Sequence, residues 1–124
     1  MSIKKYFFDT YALYKFVGGN SPYKKYFQKY DIVTTRLNLV ELFYTLLRSY
    51  NIETARKYYK AFKPFAVDYS DEVVEKAMLL RLKLKKRKVS IIDCIGYEYS
   101  RANKLKFLTG DKEFKNLKNV EFVK

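Results

Sequence analysis

The stretch Tyr6-Phe7-Phe8-Asp9-Thr10-Tyr11-Ala12-Leu13-Tyr14-Lys15-Phe16-Val17-Gly18-Gly19 decides the fold. Aromatic strand formers run up to an aspartate and stop, which reads as a strand over Ile3–Phe8. A short helix over Thr10–Val17 follows at once, halted by Gly18-Gly19-Asn20. The same alternation continues outward. Pro22 suits the first turn of a helix over about Tyr23–Lys29. Asp31–Thr35 reads as a short strand, and a long helix is expected from about Arg36 to Tyr50. There Leu39, Val40, Phe43, Leu46, Leu47 and Tyr50 recur at helical spacing and predict a core face. Asn51 caps a helix over about Ile52–Phe62, with Pro64 after its end. Phe65–Tyr69 reads as another strand. Ser70 opens a helix ending in the basic run Arg81–Lys88, and Ser90 opens one reaching about Asn103. Lys106–Thr109 reads as a strand, Asp111–Asn116 as a short helix and Val120–Val123 as a final strand. Strands alternating with helices imply an α/β fold, a three-layer α/β/α sandwich around a mainly parallel sheet. The length, 124 residues, suits one domain over 1–124.

Composition narrows the chemistry. Lys plus Arg number 26 against 13 Asp plus Glu, a net charge of +13 that attracts polyanions, nucleic acid above all. A solubility role is the plainer alternative. Histidine is absent, which removes His-based triads and most zinc sites. The one cysteine, Cys94, cannot pair internally and reads as a small buried residue. No signal peptide and no apolar run near the roughly 20 residues of a membrane span are seen, so a cytoplasmic protein without membrane contact is expected. The 13 Tyr and 10 Phe read mainly as packing residues, with some Tyr as stacking platforms.

Four acids stand out by position. Asp9 ends Tyr6-Phe7-Phe8. Glu41 is the only charge in Leu37–Leu47. Asp93 lies within Val89-Ser90-Ile91-Ile92-Asp93-Cys94-Ile95, and Asp111 follows Phe107-Leu108-Thr109-Gly110. Each has a structural explanation of its own. Taken alone, Asp9 and Asp111 read first as helix caps, Ser90-Ile91-Ile92-Asp93 fits a capping box as well as a ligand, and Glu41 fits a partly exposed helix face. In parallel sheets, function gathers at the carboxyl ends of strands. Asp9 and Asp111 fall just past strand ends, while Glu41 and Asp93 fall early in helices. One divalent cation explains all four together, since Mg²⁺ takes oxygen ligands and offsets the repulsion of close carboxylates. A carboxylate-held metal in a basic protein suggests phosphodiester chemistry.

The segments Phe7-Phe8-Asp9-Thr10, Asn38-Leu39-Val40-Glu41, Ile91-Ile92-Asp93-Cys94 and Phe107-Leu108-Thr109-Gly110-Asp111-Lys112-Glu113-Phe114 resemble the ordered motifs of PIN-domain ribonucleases. Length and element order are most similar to VapC-type toxins, over nearly the whole chain. The resemblance implies that Asp9, Glu41, Asp93 and Asp111 form a catalytic, Mg²⁺- or Mn²⁺-binding acidic quartet. It also implies supporting roles for Thr10, Thr109 and Glu113. It further implies RNA cleavage, a homodimer and a cognate antitoxin partner, although nucleases of RNA processing share the motifs. A non-catalytic RNA-binding module is the competing reading. A phosphoryl-accepting receiver-like domain fits less well, because a single Asp9 is followed by Thr10 where that fold uses an acidic pair.

The basic run Arg81–Lys88 reads equally as a solvated helix end and an RNA contact. Lys24, Lys25, Lys29, Arg48, Arg56, Lys57 and Lys60 are further candidates for phosphate contact. Tyr14, Phe43, Tyr44 and Leu47 read chiefly as core, with a dimer or antitoxin groove as the alternative.

Overall fold

Side chains that alternate across a strand must be covered on both faces when both are apolar. The computed structural model describes residues 4–124; Ile3, counted in the first expected strand, lies outside them. Strands β1 (Lys5–Phe8), β2 (Asp31–Val33), β3 (Lys106–Thr109) and β4 (Val120–Phe122) form one sheet in the order β2-β1-β3-β4, every pairing parallel. Tyr6, Phe8, Ile32 and Leu108 point to one face, and Phe7, Val33 and Phe107 to the other.

Four helices cover the first face: α1 (Thr10–Val17), α2 (Ser21–Lys29), α3 (Arg36–Ser49) and α4 (Ile52–Phe62). Leu13, Tyr23, Leu39, Leu42, Leu46 and Phe62 fill that layer. Helices α5 (Asp71–Lys83) and α6 (Ile91–Ala102) cover the second face, with Val73, Ala77, Cys94, Ile95 and Tyr97 inward. The architecture is the expected three-layer sandwich. Every helix starts on a side-chain oxygen that accepts a first-turn amide: Asp9, Asn20, Thr35, Asn51, Ser70 and Ser90.

Several sequence expectations need correction. Phe65–Tyr69 is not a strand of the sheet. Lys63–Phe65 forms one 3-10 turn, and only Thr34 and Ala66 make an isolated bridge. Pro64 supplies no amide, and the bridge closes through Thr34 N to Phe65 O and Val67 N to Thr34 O, leaving no further ladder to extend. The expected helix over Asp111–Asn116 is a single 3-10 turn, Lys112–Phe114. The core face of α3 is turned from the one expected. Leu39 and Leu46 are buried, but Leu42 joins them, while Val40, Leu47 and Tyr50 are 52%, 42% and 49% exposed. Tyr44 is exposed too, and Phe43 and Tyr14 only lie partly buried against the core. The helix carries more apolar residues than one face can hold, and Asn38 is buried together with Leu39, Leu42 and Leu46.

One close approach holds the second layer on the sheet. A Cβ at Gly96 would lie 2.7 Å from Phe7 Cε1 and 3.3 Å from Phe107 Cε1. Both rings are fully buried and have nowhere to retreat. Gly96→Ala is therefore expected to lower unfolding free energy by about 1–3 kcal/mol despite the better helix former, as read by urea denaturation. An unchanged midpoint would mean that α6 can lift from the sheet at no cost.

Candidate active site

Parallel pairing decides where the acids go. Phe8 pairs with Leu108, and Asp9 N bonds Leu108 O at 3.3 Å, so Asp9 and Asp111 leave neighbouring strands at the same edge. The chain leaves β1 to one side for β2 and returns on the other side for β3, so this edge is the switch point of the sheet. Beyond β2, Thr35 caps α3 and sets Asn38 and Glu41 in its first two turns. Helix α6 feeds β3 from the opposite edge, which leaves its own start, with Ser90 and Asp93, beside Asp9 and Asp111.

All three capping alternatives are real in the structure. Asp9 Oδ1 accepts from Ala12 N at 2.7 Å. Ser90 and Asp93 form a reciprocal capping box, at 3.1 Å from Ser90 N and 3.0 Å from Asp93 N. Asp111 Oδ1 accepts from Glu113 N at 3.0 Å, and Asp111 N donates to Thr109 Oγ1 at 3.0 Å. Glu41 Oε1 accepts from Thr10 Oγ1 at 2.5 Å. Each of these acceptor bonds engages a single oxygen, whereas a carboxylate offers two oxygens and about four lone-pair sites. Capping orients the carboxylates without exhausting them.

The electrostatics couple the four. Asp9 is buried, and burial raises its carboxyl well above the ordinary range; nearby Asp93 and Asp111 add to the rise, while Thr109 and the Ala12 amide oppose it. Burial also raises Asp93, with Glu41 and Asp111 adding to the rise against the Ser90 hydrogen bonds. All four carboxylates thus share one field. Among the described residues the ion pair Lys76–Glu72 is the only one, so none of the four is neutralised by a base.

The acids are neighbours but not a closed cage: among the described residues no group of three or more His, Cys, Asp or Glu side chains is arranged to hold an ion. Uncompensated like charges oppose such closure. The donor set still fits a hard cation that keeps several waters and takes only one or two carboxylates directly. Oxygen donors without nitrogen or thiolate competitors suit Mg²⁺ or Mn²⁺. Cys94 adds no ligand, since burial pushes its thiol up to about 11.

Thr10 bonds Glu41, and Thr109 bonds Asp9. Glu113 contributes through its backbone: its amide holds Asp111, and its carbonyl accepts from Arg87 Nη1 at 2.9 Å. That bond ties the basic run to the acidic turn. Sequence reasoning missed Asn38 and Thr35 as site residues. Asn38 is fully buried, donates from Nδ2 to Thr10 Oγ1 at 3.1 Å, and accepts from Thr35 Oγ1 at 2.7 Å. The chain Thr35–Asn38–Thr10–Glu41 fixes the one carboxylate that caps nothing. An amide one turn before a lone glutamate in an apolar helix was the available signal.

A model of the PIN domain family matches residues 6–120. The chain belongs to the PIN-domain family. The resemblance carried by the four ordered segments is thereby borne out. Among curated proteins no sequence match reaches significance. Solved structures agree in fold. VapC20 of Mycobacterium tuberculosis, a sarcin–ricin-loop-cleaving toxin, matches with a TM-score of 0.76 at 17% identity, over 94% of this chain and 95% of that one. A toxin–antitoxin complex from Klebsiella pneumoniae gives 0.72 at 18% identity, over 94% and 95%. VapBC2 of Rickettsia felis, bound to a promoter DNA fragment, gives 0.70 at 19% identity, over 96% and 97%.

The raised carboxyls of this PIN domain carry a stability consequence. Folded Asp9 and Asp93 hold protons more tightly than in the unfolded chain. Stability in chelator should therefore fall as pH climbs from about 3.8 through the raised values. Asp93→Asn keeps an acceptor for Ser90 N and loses the repulsion, so its metal-free melting temperature should equal or exceed that of the parent. Asp93→Ala loses the box and should cost about 0.5–2 kcal/mol. A large drop for Asp93→Asn in calorimetry would reduce Asp93 to a cap.

Proposed function

We propose that this PIN domain is a metal-dependent endoribonuclease, a hydrolase of RNA phosphodiester bonds, and the toxin half of a toxin–antitoxin pair. One observation carries the proposal: four carboxylates from four separate segments lie near one another at the switch point of the sheet without closing into a cage, and among the described residues none of them is in an ion pair. A fold rarely retains such repulsion without use. Asp9, Glu41, Asp93 and Asp111 would hold Mg²⁺ or Mn²⁺. Such an ion, when bound, supplies positive charge beside a phosphodiester and lowers the pKa of water.

The chain's own residues orient the rest. Thr109 steadies Asp9 by its hydroxyl and the Asp111 amide by its oxygen. Asn38 holds Thr10, which holds Glu41. The net charge of +13 draws RNA to the protein. Family membership and the similarity in fold to toxin–antitoxin proteins support both nuclease and toxin assignments. Exposed Val40, Tyr44 and Leu47 on α3, with Leu79 and Leu82 on α5, offer apolar surface for a second copy and for an antitoxin. No helix of the described residues is long and apolar enough to cross a membrane, in keeping with a cytoplasmic role.

The open arrangement of the acids favours one competitor, an RNA-binding module without turnover. Cleavage of single-stranded and structured RNA with Mg²⁺ or Mn²⁺ separates the two. Turnover should vanish in EDTA. Asp9→Asn should cost more than the roughly 10–100-fold that loss of an outer partner costs, and Asn38→Ala should fall within that range. Salt-sensitive binding with no turnover, or activity indifferent to EDTA, would sink the nuclease. As a second readout, saturating Mn²⁺ at about 100 times its Kd should stabilise the fold by about 2.7 kcal/mol, and Asp9→Asn should abolish that gain.

A further inference from the structure

Beside Asp111 the sheet edge opens into a groove of ≈ 390 Å³ lined by Tyr11, Gly110, Lys112, Lys115, Phe122 and Lys124. It combines rings with available cations. Tyr11 and Phe122 are half-buried, whereas Lys112, Lys115 and Lys124 are exposed. Among the described residues none of these lysines is in an ion pair. Lys115 Nζ stands 5.3 Å from the Phe122 ring centroid, so cation and ring already share one wall. Gly110 fixes the other wall. A Cβ there would collide with Tyr11 Cε1 and come within 2.6 Å of Val123 O, so the ring rests directly on the backbone that leads into Asp111.

We propose that this groove seats one unpaired RNA nucleotide next to the phosphodiester handled at Asp111. The base lies against Tyr11 and Phe122, and neighbouring phosphates lie on Lys115 and Lys124. The inference rests on the ribonuclease reading and adds a selectivity to it. Every base has a π-face that stacks on an aromatic ring, but a base inside a duplex has both faces already covered. The volume falls in the range of roughly 300–1,000 Å³ typical of small-ligand clefts, which suits one nucleotide and not a helix. Lysine stems are long enough to follow a flexible backbone, and each phosphate they neutralise releases counterions. The groove therefore favours loops and single strands over duplex.

The test combines binding and turnover. Anisotropy of a labelled short oligouridylate and of an RNA duplex is read in EDTA. Phe122→Leu should weaken oligouridylate binding at least about fivefold and leave duplex binding unchanged. Lys115→Gln with Lys124→Gln should flatten the slope of log Kd against log salt by about 1.4, or about 0.7 for each phosphate no longer neutralised. In cleavage, Phe122→Leu should raise KM and leave kcat in place. Circular dichroism checks each fold, and the lysine pair, being exposed, keeps the test alive if Phe122→Leu unfolds. If the parent cleaves single-stranded RNA while every variant binds and cleaves as before, the groove is refuted and the nuclease stands. If the parent fails to cleave but loses its preference for single strands on Phe122→Leu, the nuclease falls and the groove remains a nucleotide site.

Discussion

Asp9 sits at the centre of the first strand's exit, buried, where a negative charge is costly. Asp9 is 2% exposed, Asp93 and Asp111 lie close by, and among the described residues none of the three is in an ion pair. Two weak supports offset part of the cost, the Ala12 amide at the start of α1 and the Thr109 hydroxyl at the end of β3. The rest of the site depends on this position. Asp111 comes from the strand hydrogen-bonded to β1, and Asp93 from the helix that feeds that strand. Moving either strand by one residue would swap the side chains facing the two helical layers and scatter the acids.

The hydrogen bonds of the acids orient them in two different ways. Asp9, Asp93 and Asp111 are tied to backbone amides within three residues of themselves, so local helix geometry orients them. Glu41 has no such amide. Its orientation comes from Thr10 on another helix, and Thr10 is held in turn by Asn38. The quartet is thus three locally fixed carboxylates and one placed by a tertiary relay. The set is open, and its members repel one another across that edge.

Around this acidic edge the surface is basic. Arg87 ties the run after α5 to the carbonyl of Glu113, which brings lysines 85, 86 and 88 toward the turn that holds Asp111. Lys112, Lys115 and Lys124 line the groove beside Asp111. A patch of one sign thus borders a patch of the other. Buried Cys94, with its thiol raised, takes no part in either.

Much of this was legible in the residues themselves. Aromatic and branched runs ending at acids marked β1 and β3, cap residues marked most of the helix starts, and the four acids stood out because charge in an apolar run demands a partner. Those signals are local: each depends on residues within one or two turns, where chain connectivity alone dictates geometry. Tertiary structure decided the rest. It turned Val40, Leu47 and Tyr50 outward and Asn38 inward, because a helix with apolar residues on several faces has no preferred side until a sheet is placed beside it. It reduced Phe65–Tyr69 to a single bridge, because a strand exists only where a neighbour offers a ladder. It also joined Thr10 to Asn38 and Glu41 across 28 and 31 positions, a contact that no periodicity announces.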